Sequence, residues 1–383
     1  MTNLQYDGNI YTVQYVKHNN LKDVWVYKVY VKKFVLKDRK GREMKKKLIA
    51  IAATALMVVA LAGCSSNSSS SSSENATNNE SSTASEKLGD GSNLTFVTGG
   101  ESGTYYAVGG VIANDVTNNC NLSVTAVAGN GSQANVVELE DGTAQLGFCQ
   151  SDVMSYAYDG TNIFKDTGAI NCFSTVAALY DETVQIVTCD PDIKTVADLK
   201  GKTVSVGAAG SGVYFNAIDV LGAYGLSLDD INPSYQSFKD SADSLTNGQI
   251  DAAFIVAGAP TSAIVELSTT KQAYLVSIED AQVDELLKSS PYYSKSVIPA
   301  GTYNGIDEDI TTVSVQAVII AANTVSEDAI YAFLSEMYGN IDTLSDAHAK
   351  FEEMSIEKGA SITSVPYHPG AVKYFAEQGI TVK

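Results

Sequence analysis

The stretch Leu94-Thr95-Phe96-Val97-Thr98-Gly99-Gly100-Glu101-Ser102-Gly103-Thr104-Tyr105-Tyr106 decides the fold. A short β-branched and aromatic run stops at two glycines, and a helical pattern follows with Tyr105, Val108 and Ile112 on one face. Strand, glycine-rich loop and helix then recur. Leu122–Val127 predicts a strand and Ser132–Leu139 a short helix, with Gly129-Asn130-Gly131 between them. Gln145–Cys149 predicts the next strand. Ser174–Tyr180 and Thr183–Thr188 read as two strands flanking a turn at Asp181-Glu182.

A second set starts at Thr203–Gly207, followed by Gly207-Ala208-Ala209-Gly210-Ser211-Gly212 and a helix through Ala217, Val220 and Leu221. Ala252–Val256 and Ala273–Val276 predict further strands, with a helix over Thr261–Leu267. The apolar run Thr311–Ala321 predicts a strand that returns the chain to the first set. Alternation of this kind specifies α/β architecture with parallel or mixed sheets. Two lobes crossed near Ile186 and near 299–307 describe a hinged binding protein. Its ligand is expected between the lobes, beyond the carboxyl ends of the strands.

Upstream, Met44–Cys64 sets Lys45, Lys46 and Lys47 before the apolar run Leu48–Leu61 and ends in Leu61-Ala62-Gly63-Cys64. A basic cluster, a short apolar core and small residues before a cysteine form a lipoprotein signal peptide. The apolar run is too short for the roughly 20 residues of a membrane span. Cys64 is the expected lipidation site, which places the mature chain outside the cytoplasm, anchored to the cell membrane. Translation is then expected to begin at Met44, leaving residues 1–43 as a mis-annotated extension. From Ser65 to Ser92 the Ser-, Asn- and Glu-rich chain, with Ser68–Ser73 uninterrupted, reads as a disordered tether. The domain scheme is therefore 1–43, signal peptide 44–63, tether 64–92, lobe 1 over 93–186 plus 304–383, and lobe 2 over 187–303.

The 383-residue chain has a net charge of −19. Residues 1–63 hold 12 Lys and Arg and 4 Asp and Glu, so 13 basic and 40 acidic residues remain, a net charge of −27. Such a surface repels nucleic acid. No arginine follows Arg42, so a ligand carboxylate meets no bidentate guanidinium. Backbone N–H groups, hydroxyls or a lysine must hold it instead.

Three loops share one design in which glycines let the backbone approach a ligand and a helix start offers free N–H groups. Ser102, Thr104, Ser132 and Ser211 serve equally well as N-caps of those helices. Gln150-Ser151-Asp152 places three polar groups at a strand end, and Tyr180 ends another. Asp152 is the one carboxylate expected in the cleft. No P-loop, nucleophile elbow, zincin motif or metal-ligand spacing occurs, and His348 and His368 stand apart from any nucleophile. No enzyme activity, cofactor or metal is expected. Cys120, Cys149, Cys172 and Cys189 are open to both free and bridged readings.

These motifs, in this order, resemble the TAXI family of solute receptors of TRAP (tripartite ATP-independent periplasmic) transporters. The likeness runs through Thr98–Tyr106, Gly131–Asn135, Gln150–Asp152, Ala178–Tyr180, Asp198–Lys202, Gly207–Gly212, Gly248–Asp251, Ala257–Thr261, Ile298–Tyr303 and His368–Ala371. Ala209 departs from it, since the family often has proline there. The resemblance implies a two-lobed, type II-like periplasmic-binding-protein fold, two parallel or mixed sheets joined by a hinge. It implies capture of a small carboxylate or amino acid such as glutamate or glutamine, handed as a monomer to a TRAP membrane permease. The pocket positions it implies are Ser102, Gly103, Thr104, Tyr105, Ser132, Asn135, Gln150, Ser151, Asp152, Tyr180, Ser211 and Gly212. A surface adhesin or immunogen that keeps the fold without transport is the alternative.

Overall fold

The computed structural model describes residues 2–6, 9–16, 26–30 and 87–383. The first three segments are strands β1 (Thr2–Tyr6), β2 (Asn9–Val16) and β3 (Val26–Tyr30), paired antiparallel in that order. The signal peptide, Cys64 and the Ser-rich tether lie outside the described residues.

The main body opens with β4 (Asn93–Val97), α1 (Thr104–Asn119), β5 (Ser123–Val127), α2 (Ser132–Glu140), β6 (Leu146–Gln150) and α3 (Ser151–Asp159). The long strand β7 (Phe173–Thr188) leads to β8 (Thr203–Ser205), α4 (Val213–Ala223), β9 (Asn232–Ser234), α5 (Phe238–Thr246) and β10 (Ala252–Ala257). Next come α6 (Ser262–Thr270), β11 (Tyr274–Leu275), α7 (Asp280–Ser289), β12 (Ser294–Ile298), the second long strand β13 (Ile310–Ala322) and α8 (Glu327–Gly339). A helix over Pro369–Glu377 closes the chain.

The strands order as β5-β4-β6-β13-β7-β10-β8-β9 in one mixed sheet, with β11 on β7 and β12 on β13. β4 runs parallel to β5 and β6, and β8 runs parallel to β9 and β10. The two long strands pair antiparallel with each other between these parallel sets. The α/β class is as expected. The two expected sheets are continuous because β7 and β13 are long enough to serve both.

The buried cores divide along the same line. Tyr180 packs with the cluster built on β4, β6, α1 and α8, whereas Val184 packs with the cluster under α4 and α7. On β13 the change falls between Val315 and Ala317. The core thus changes hands earlier on β7 than Ile186, and later on β13 than 299–307. Within the second half, β10 alternates: Ala252, Phe254 and Val256 face one cluster, Ala253, Ile255 and Ala257 another. That is the two-residue period of a strand buried on both faces.

The expected turn at Asp181-Glu182 is absent. β7 continues through it, with Glu182 opposite Val315 and Asp181 opposite Gln316. The polar pair does not break the strand because each finds a partner there. The Asp181 backbone N–H donates to Glu353 Oε2 at 3.0 Å, and Glu182 turns inward, 2% exposed.

Candidate functional site

The three glycine loops stand where three helices begin, and none of the expected hydroxyl caps is formed. The capping positions of α1, α2 and α4 are Gly103, Gly131 and Gly212, none with a side-chain cap. Their leading N–H groups therefore lack the usual side-chain acceptor. The hydroxyls act elsewhere. Thr104 Oγ1 donates to the Gly258 carbonyl at 2.9 Å, and Ser132 Oγ accepts from the Gln150 N–H at 3.0 Å. Ser211 Oγ is buried without a partner.

These loops surround one cavity. It is lined from the first half by Gly103, Thr104, Tyr105, Gly131, Ser132 and Gln150, and from the second by Ser211, Gly212, Val213, Phe238 and Val256. Glu182, at the change of core on β7, completes the wall. The cavity offers about 100 Å³, several times the roughly 10–15 Å³ that one water needs. A small solute fits.

Hydrogen bonds also join the halves. The Ala134 N–H on α2 donates to the Gly210 carbonyl at 3.0 Å, and the Thr104–Gly258 bond ties α1 to the end of β10. Gln150 Nε2 donates to Asn216 Oδ1 at 3.1 Å. Asn216 Nδ2 in turn donates to Asp152 Oδ2 at 3.0 Å and to Tyr293 Oη at 2.9 Å, and Tyr293 donates to Asp219 Oδ2 at 2.9 Å.

This chain of bonds fixes the amide of Gln150. Asn216 turns Nδ2 to the Asp152 carboxyl, which leaves its Oδ1 to accept from Gln150 Nε2. Gln150 Oε1 is left buried with no donor. Burial pushes the Asp152 carboxyl up to about 7, against the bonds from Val153 and Asn216 that favour its charge.

Glu182 is the carboxylate of the cavity wall, in place of Asp152. Tyr105 Oη donates to its Oε2 at 2.9 Å. Burial raises its carboxyl to about 8, although Tyr105 and Gln150 favour the charged form. The same burial, together with the facing Glu182, holds the Tyr105 hydroxyl well above its usual value.

Of the expected positions, Gly103, Thr104, Tyr105, Ser132, Gln150, Ser211 and Gly212 line the cavity. The other five stand behind or beside it. Ser102 is partly exposed on the loop. Asn135 Nδ2 donates to the Thr98 and Phe148 carbonyls at 2.7 and 2.8 Å, which ties the ends of β4 and β6 together. Ser151 Oγ accepts from the Gln316 N–H, Asp152 holds Asn216, and the Tyr180 hydroxyl is buried without a partner. Sequence reading missed Glu182 and Phe238. For Glu182 a signal existed: Asp181-Glu182 has no Gly, Pro or Asn beside it to make a turn. His368 is structural. Its Nδ1 accepts from the Gly370 N–H as an N-cap, and Nε2 pairs with the Val325 carbonyl. Cys120, Cys149, Cys172 and Cys189 are free thiols.

A family model described as the NMT1-like family matches residues 96–379, about three quarters of the chain. Among solved structures, the alkanesulfonate-binding protein SsuA from Xanthomonas axonopodis pv. citri, bound to MOPS, is 17% identical. The alignment covers 77% of this chain and 92% of that one, with a TM-score of 0.43. The periplasmic aliphatic sulphonate binding protein SsuA from Escherichia coli is also 17% identical, over 75% and 83% of the two chains, with a TM-score of 0.36. A TctC solute binding protein from Polaromonas is 15% identical over 68% and 88%, with a TM-score of 0.42.

Proposed function

The chain belongs to the NMT1-like family, and from that premise we propose that it is an extracytoplasmic solute-binding protein. It closes two halves around a small carboxylate or amino acid, of the size of glutamate or glutamine, and turns nothing over. Lipid on Cys64 anchors it to the cell membrane, and the closed form hands its solute to a TRAP-type permease. The antiparallel pair β7 and β13 carries the hinge.

One observation supports this reading above the others. The starts of three helices, two in one half and one in the other, meet at one cavity, and none of the three carries a side-chain cap. Helix-start N–H groups without a side-chain acceptor are completed by an anion that enters the cavity. With no cation among the described residues that line the cavity, helix-start N–H groups and hydroxyls take the carboxylate.

The test is a thermal-shift screen of the purified protein against amino acids and small carboxylates. Binding to the folded state alone raises the melting temperature by an amount that grows with ligand over its dissociation constant. A shift with one class names the solute. No shift from protein shown to be folded and ligand-free points to a solute outside the panel or to a surface adhesin. The anchor has its own check: Cys64→Ser should move the protein from the detergent phase to the aqueous phase on partitioning.

A further inference from the structure

We propose that the seam between α3 and α4 is a proton-operated latch: the halves close when Asp152 carries a proton and open when it gives the proton up. This rests on the hinged, two-half reading above and adds what governs the hinge.

The seam is a second contact between the halves, and none of its residues lines the cavity. Asp152 and Tyr156 come to it from α3, on the first core. Phe215, Asn216 and Asp219 come from α4, whose Val213, Ala217 and Val220 pack with the second core. Phe215 crosses over: it is 2% exposed and belongs to the first core. Its ring centroid lies 6.2 Å from that of Tyr156, which meets Tyr292 of the second half edge-on at 5.7 Å. Separation of the halves therefore withdraws an aromatic ring from the core it fills.

The polar part of the seam joins two acids from opposite halves. Asn216 Nδ2 donates to the Asp152 carboxyl and to Tyr293 Oη, and Tyr293 donates to Asp219. Asn216 and Tyr293 are buried, and they supply donors to both carboxyl groups without supplying a charge. Among the described residues no lysine bonds to Asp152 or Asp219. The other titratable groups near Asp152 are Tyr156 on its own helix, Cys149 on β6, Glu182 on β7 and Tyr293 ahead of β12. All are neutral or acidic.

Two carboxylates without a counter-ion repel across a buried seam. With the halves together Asp152 therefore keeps a proton, its carboxyl pushed up to about 7 by burial above all and by the charge of Asp219. With the halves apart it meets water in the first turn of α3, where hydration and the helix start favour the carboxylate, and it returns toward the ordinary 3.8. The closed form then holds more protons than the open form between about pH 4 and pH 7. Closure is favoured at the acid end of that window and is lost as pH rises through it, the ratio of open to closed molecules growing by up to about tenfold per pH unit.

The experiment is small-angle scattering of the purified, ligand-free protein from pH 5 to pH 8, with circular dichroism at each pH to check the fold. Wild type should expand as pH rises, the open-to-closed ratio growing by up to about tenfold per unit. Asp152→Asn keeps an acceptor for Asn216 but cannot ionise, and should stay compact throughout. Asp219→Asn keeps the acceptor for Tyr293 and removes the like charge, so its expansion should need a higher pH. Segments outside the halves are common to all three proteins, so the differences between them report the seam. Asp219→Asn decides the matter if Asp152→Asn does not fold. A folded wild type whose size does not change with pH, or variants that expand along the wild-type curve, overturns the latch. Neither result touches the receptor reading, which the thermal-shift screen tests separately.

Discussion

A Cβ placed on Gly212 would lie 1.6 Å from Gln150 Oε1 and 3.0 Å from Ser132 Oγ. Gly212 precedes α4 in the second half and Gln150 ends β6 in the first, so the glycine is where the halves press together. Its backbone, at φ −71° and ψ −24°, is open to any residue. Glycine is needed for the approach, not for the conformation. Gly212→Ala should therefore cost about 1–3 kcal/mol of stability, as overpacking a buried contact does, and weaken solute binding by at least about 100-fold. Calorimetry reads the affinity, and solution scattering should show no compaction on adding ligand. Unchanged affinity would mean that Gln150 swings aside and that closure does not depend on this contact.

Stability should fall as pH rises from about 5 to about 8. Glu182 is held at about 8 in the folded protein against an ordinary 4.5, so in that window the folded chain keeps a proton that the unfolded chain has lost. Folding stability then decreases with pH, by up to about 1.4 kcal/mol per pH unit for one group. Asp152, raised to about 7, adds to the same trend. Glu182→Gln should be more stable than wild type at pH 8 and nearly equal to it at pH 5, as measured by urea denaturation at both. A gap that does not widen with pH contradicts the buried, protonated Glu182.

Asp152 acts through Asn216. The carboxyl stands off the cavity and fixes the amide that fixes Gln150. Asp152→Ala should lower solute affinity and cost about 2–4 kcal/mol of stability, because the Val153 and Asn216 N–H groups lose their acceptor. In a double-mutant cycle with Asn216→Ala, the coupling should exceed about 0.5 kcal/mol in both stability and binding. Additive effects would show that Asp152 does not act through Asn216.

The fold was legible where periodicity was clean. β4, β6 and β10 carry their apolar runs, and Tyr105, Val108 and Ile112 face inward from α1 as their spacing demands. It was less legible at β7. A carboxylate in an apolar strand looks like a turn until its partner is known, and Tyr105 lies 77 positions away in the chain. The glycine loops announced the site, since close approach leaves glycines behind. Their hydroxyls did not announce their roles. Thr104 and Ser132 bond to Gly258 and Gln150, groups brought near only by the folded sheet. Asp152 likewise sits beside Gln150 in sequence, yet its side chain turns away to Asn216.

The hydroxyl of Tyr105 offers the sharpest separation of packing from electrostatics. Its ring stacks on Phe148 with centroids 4.5 Å apart, and Tyr105→Phe preserves that stack while deleting only the donor to Glu182. Below about pH 8 the bond joins two neutral groups and contributes about 1 kcal/mol. Above it the acceptor is charged and the contribution is about twice that. The destabilisation by Tyr105→Phe should therefore grow from about 1 kcal/mol at pH 6 to about 2 kcal/mol at pH 9. Losing a donor that favours the carboxylate also pushes Glu182 further up, so the fall of stability with pH should extend to higher pH. Urea denaturation across the range checks both. Equal destabilisation at pH 6 and pH 9 would show that Glu182 does not change its charge in that interval, and that the pH response has another source.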